Sequence, residues 1–109
     1  MPRKPNRQVD SAKVQGEGTY VVFRRLLWGE FQELSRRQEA KEITGEQYSS
    51  ELIARQLADW NWTDESGVTL PVPQTDPSVL ERLTDEEVGW LIDQVNGERQ
   101  AAAAASKSG

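Results

Sequence analysis

The sequence contains neither cysteine nor histidine. The first absence removes disulfides, thiolate zinc sites and cysteine nucleophiles. The second removes every histidine-based catalytic triad and histidine-ligated metal centre. No apolar run approaches the roughly 18 residues needed to span a bilayer. The basic N-terminus is not followed by the apolar stretch of a secretory signal, so the expected location is the cytoplasm. Apolar residues are also scarce: 36% of the chain is hydrophobic and mean hydropathy is -0.73, so any core must be small. A Gly-rich phosphate loop is missing, since Gly16-Glu17-Gly18 is a two-glycine fragment that opens no clear helix. No repeat with the period of a solenoid is visible.

What remains is a chain of 109 residues, enough for one domain. Residues 1–15 carry Arg3, Lys4, Arg7 and Lys13 against Asp10, with almost nothing apolar. The rest holds nine basic against seventeen acidic groups within an overall charge of -5. Residues 101–109 offer only alanine as apolar surface. Neither end buries enough to offset the entropy of ordering. The expected organisation is therefore a disordered basic arm at 1–17, a helical domain at 18–98 and a disordered Ala/Ser-rich tail at 99–109.

Within the domain, Tyr20-Val21-Val22-Phe23 is a β-prone run, read as an edge strand or an extended lead-in whose only candidate partner is residues 68–72. Leu27, Phe31 and Leu34 then recur on one helical face, predicting a helix over about 28–41. Thr44-Gly45-Glu46-Gln47 has the spacing of a capping box and opens a second helix over 45–59, with Tyr48, Leu52, Ile53, Leu57 and Trp60 at helical spacing. Leu70-Pro71-Val72-Pro73 forbids helix and favours an extended crossover. Asp76-Pro77 starts a short helical turn at 77–82. Thr84-Asp85-Glu86-Glu87 is a second capping box, opening a helix over 85–96 that stops at Asn96-Gly97. The expected fold is mainly all-α: a small bundle of three longer helices and one short helix, with a short N-terminal extended segment and a Pro-rich crossover loop.

Four tryptophans, Trp28, Trp60, Trp62 and Trp90, are the most informative residues. Tryptophan fills small cores and also anchors interfaces. Trp60 and Trp90 read more readily as core, whereas Trp28 and Trp62 are open to either role. The acidic runs Asp64-Glu65 and Asp85-Glu86-Glu87 read as turn and capping chemistry, not as acid/base catalysts or cation ligands, for neither the ligand count of a calcium loop nor a reacting partner is present. No catalytic, cofactor or metal site is expected, and the chain reads as a binding protein rather than an enzyme. The helix hairpin lacks the basic stripe of a DNA reader, so DNA binding by the fold is a minor reading, to which the basic arm could add weak contacts.

Three segments together resemble a known family. Phe23-Arg24-Arg25-Leu26-Leu27-Trp28-Gly29-Glu30-Phe31 resembles the "Leu-x-Trp-Gly-Glu-aromatic" start of tail-assembly chaperone-like proteins of siphophages and related prophages. Ala58-Asp59-Trp60-Asn61-Trp62-Thr63-Asp64-Glu65-Ser66-Gly67 with Leu70-Pro71-Val72-Pro73 is similar to a Trp-Asn-Trp and Leu-Pro-x-Pro segment in them, and Leu83-Thr84-Asp85-Glu86-Glu87-Val88 to the helix that follows. The likeness covers about residues 20–96. It implies a cytoplasmic, non-virion protein, sometimes made also in a longer frameshifted form, that coats the helix-rich tape-measure protein until tail-tube subunits replace it. The family supplies no catalytic residues. Exposure arguments nominate Trp28, Phe31, Trp62 and Trp90 as partner-binding, with self-association possible and no membrane contact. The alternatives are another phage structural or adaptor protein, such as a tail-completion or connector component, and a small DNA-binding regulator.

Overall fold

The structure, a computed structural model, describes residues 6–108, with side chains through residue 97. It corrects the all-α expectation. A three-stranded antiparallel sheet of order β1-β2-β3 stands beside the helices. The strands are β1 (Arg7–Asp10), β2 (Tyr20–Phe23) and β3 (Leu57–Trp60). The helices are α1 (Ala12–Gln15), α2 (Trp28–Glu39), α3 (Gly45–Gln56) and α4 (Asp85–Ser108), with a 3-10 turn at Pro77–Arg82.

The β-prone run at β2 does form a strand, but its partners are not residues 68–72. On one side β1 pairs with it in the register Arg7↔Phe23 and Val9↔Val21. On the other, β3 pairs Trp60 with Val21 and Leu57 with Phe23, across a bulge. β2 alternates in burial, with Val21 and Phe23 facing the core, as a half-buried strand should. The basic segment is therefore not wholly an arm outside the fold. Residues 7–15 form β1 and α1, and Gly16 and Gly18, at φ 103° and 86°, make the reversal into β2. Arg7 itself lies over the Phe23 ring, 5.4 Å from its centroid. Residues 1–5 lie outside the described residues.

The two capping boxes form as their spacing predicts. Thr44 Oγ1 accepts from the Gln47 amide at 3.1 Å while Gln47 Oε1 accepts from the Thr44 amide at 2.8 Å. Thr84 and Glu87 repeat the exchange at 3.1 and 2.8 Å. Helix ends are less predictable. α3 stops at Gln56, because Leu57–Trp60 supplies the ladder that β2 needs. α4 does not stop at Asn96-Gly97 but continues to Ser108. One glycine costs about 1 kcal/mol in a helix, and the five alanines that follow are the best helix formers. α2 closes with a Schellman pattern, in which the Glu42 amide donates to Arg37 O and the Lys41 amide to Gln38 O, with Lys41 left-handed at φ 62°.

The main core lies between the sheet and α4. Val21, Phe23, Leu57 and Trp60 of the strands pack with Ile53, Trp62, Leu70, Val79, Leu91 and Val95. A smaller cluster, Leu34, Ile43 and Leu52 with Leu26 and Tyr48, holds the α2–α3 hairpin. The Pro-rich crossover contains no helix and turns after Val72, whose carbonyl accepts from the Thr75 and Asp76 amides, and Trp60 Nε1 donates to Leu70 O at 3.0 Å, tying it to β3. Among the described residues no helix is long and apolar enough to cross a membrane.

Candidate interaction surface

Where β2 ends, the chain must turn from strand to helix, and charge fixes that turn. The Arg24 amide donates to Gln56 O at 2.7 Å, joining the turn to the end of α3. Its guanidinium grips Glu30 with two bonds, 3.0 Å to Oε1 and 2.8 Å to Oε2. Glu30 Oε1 also accepts from the Leu27 amide at 3.0 Å, satisfying a donor at the start of α2. The Arg24 hydrogen bond holds the Glu30 carboxyl below its ordinary value of 4.5, against the opposing push of burial and with help from the Leu27 amide.

The ion pairs continue along the α2–α3 seam. Arg55 reaches Glu33 at 3.2 Å, Glu51 at 3.3 Å and Glu30 at 3.9 Å. Arg37 reaches Glu51 at 2.8 Å and Glu33 at 3.7 Å. Burial pulls the Arg55 guanidinium down, yet the carboxylates of Glu33 and Glu51 outweigh it and hold it above its usual range. Isolated surface pairs contribute little, but a bidentate pair within a network fixes geometry.

This frame presents an apolar pair to solvent. Leu26 turns inward to the smaller core, while Leu27 is 46% and Trp28 69% exposed. The half-buried Phe31 ring lies against Trp28, centroids 5.2 Å apart and tilted by 33°. A large exposed ring backed by a second ring on a fixed turn is the arrangement of an interface anchor, since it offers area without needing to be ordered on binding. Among the described residues, Val68 in the 64–68 turn is the other large exposed apolar residue.

Of the four nominated residues, Trp28 and Phe31 come together here. Trp62 does not join them. It is fully buried, stacked on Trp60 at 4.7 Å and 11°, and its Nε1 donates to the buried Ser11 Oγ at 2.8 Å. Trp90 is half-buried and packs on Trp62 at 6.0 Å, as part of the main core. Trp62 is thus a packing residue, while Trp90 lies at the half-buried edge of that core. Leu27 was missed because its spacing with Phe31 and Leu34 reads as a buried face; only Leu34 of the three is fully buried.

The acidic runs act as local structure. Glu87 caps α4 and receives the Gln15 amide, whose Oε1 in turn accepts from the Thr63 amide at 3.2 Å. Asp64 Oδ1 accepts from the Ser66 and Val68 amides in its turn. Among the described residues no group of three or more His, Cys, Asp or Glu is placed to hold a metal ion. Comparison with protein-family models, with curated proteins and with solved structures found no match to this chain. The surface around Trp28 must therefore be read from its own chemistry.

Proposed function

We propose that this chain is a phage tail-assembly chaperone that works in the host cytoplasm, docking on the tape-measure protein through Leu27, Trp28 and Phe31 and leaving before the virion is complete. Its task on this reading is binding, not catalysis. The observation that supports it most is the exposed Trp28 ring, held against Phe31 on a turn locked by Arg24 and Glu30. The partner's chemistry follows from the patch. An exposed apolar patch of this kind fits the apolar stripe of an amphipathic helix, and the segment containing it is one of the three that resemble the chaperone family. So small a patch gives modest affinity per copy, so release stays easy and many copies along one long helical partner supply avidity.

Co-expression with the neighbouring tape-measure gene tests this. The tape-measure protein should become more soluble and co-purify in excess of one chaperone per chain. Trp28→Ala should abolish both while shifting stability by no more than about 0.5 kcal/mol, as expected for an exposed residue. Failure to co-purify, undiminished binding by Trp28→Ala, or recovery of the chain from finished particles would refute the reading.

A further inference from the structure

At the far end of α3 from the Trp28 turn, the first turns of α3 and α4 bound an open groove of about 500 Å³. Its floor is apolar: Ile53 is buried, and Val88 and Ile92 are half-buried beside it. Exposed Glu46 and Asp85 also line it, as do Ser49 and Ser50. Among the described residues no basic side chain lines it.

The two carboxylates at the groove are uncompensated among the described residues. Glu30, Glu33, Glu42 and Glu51 on and around the α2–α3 hairpin each pair with an arginine. Glu46 and Asp85 form no ion pair among the described residues. Their positions in first helical turns account for their sign through the helix dipole. They do not account for an aliphatic floor left open between them. An apolar trough with acidic edges is complementary to an aliphatic side chain flanked by cations. It repels nucleic acid and anionic lipid.

We propose that this groove binds a protein helix presenting branched aliphatic side chains between lysines or arginines. The aliphatic groups seat on Ile53, Val88 and Ile92 while the cations meet Glu46 and Asp85. The groove shares no residue with the Leu27, Trp28 and Phe31 surface, so the two readings stand separately.

The probe is a dye-labelled designed helical peptide with leucines four residues apart flanked by lysines, titrated into the full chain by fluorescence anisotropy. A second peptide replaces every lysine by glutamate. The lysine peptide should bind, more weakly as salt rises, and the glutamate peptide should bind at least about tenfold more weakly. Glu46→Gln with Asp85→Asn should cost about tenfold, the scale of two rim ion pairs. Ser50→Trp, which fills the groove without changing charge, should abolish binding. Thermal melts establish that each variant is folded. No binding, equal binding of the two peptides, or full binding by Ser50→Trp would overturn the proposal, the last by showing only diffuse charge attraction.

Discussion

Replacing Ser11 by alanine should destabilise the whole domain, although Ser11 lies in a segment whose composition marks it as a solvated arm. Its side chain is completely buried and links three elements. Ser11 Oγ accepts from Trp62 Nε1 at 2.8 Å and donates to Thr19 Oγ1 at 2.8 Å, while its amide donates to Thr19 O at 3.1 Å. The substitution leaves the Trp62 N–H buried and unpaired, which costs about 1–3 kcal/mol. In a domain of this size each kcal/mol lowers Tm by about 4–8 °C. Urea unfolding followed by far-UV circular dichroism and by tryptophan fluorescence measures it. Trp62→Phe removes the donor, so in that background Ser11→Ala should cost less, with a coupling of about 0.5–3 kcal/mol. A Ser11→Ala protein within about 0.5 kcal/mol of wild type, with no coupling to Trp62, would refute the conclusion that residues 7–19 are an integral part of the fold.

Two further outcomes follow from buried or paired polar groups. Glu30 has a depressed folded-state pKa, so its contribution is full above the unfolded value near 4.5 and is lost as pH falls through the folded value; the stability gap between wild type and Glu30→Gln should close on acidification below that range, and a gap independent of pH would contradict the Arg24 assignment. Gln56 is buried with an amide nitrogen that has no hydrogen-bond partner among the described residues; Gln56→Met should therefore leave stability equal or raise it, by up to about 1 kcal/mol in a denaturant titration, because it removes an unsatisfied donor while keeping the side-chain volume, and a clear loss would mean that the amide is satisfied.

The helix starts were legible because their determinants are local. A Thr with Gln or Glu three residues on needs nothing else in the chain to form its two bonds, and both boxes do so. The sheet was illegible for the opposite reason. β1 contains one apolar residue, Val9, and gains strand structure only by lying against β2. β3 carries Leu57 and Trp60 at a spacing that also continues the helical face of α3, so periodicity favours helix until the non-local pairing with Val21 and Phe23 is known. The tryptophans show the same limit. Trp62 is buried because Ser11, 51 residues away, meets its ring nitrogen, and nothing in the neighbouring residues announces that.

The exposure of the candidate surface is tied to that same strand. An α3 running on through residue 59 would place a further helical turn beside the start of α2, where it would cover Leu27 as Leu52 covers Leu34. The pairing of Arg55 with Glu30 and Glu33, and of the Arg24 amide with Gln56 O, puts the actual end of α3 at this level. Beyond it the chain leaves the hairpin to pair with β2. Leu27 and Trp28 stand exposed at the start of α2, while Leu57–Trp60 pairs with β2. The helical spacing of Leu27, Phe31 and Leu34 describes a face that the fold buries only at Leu34.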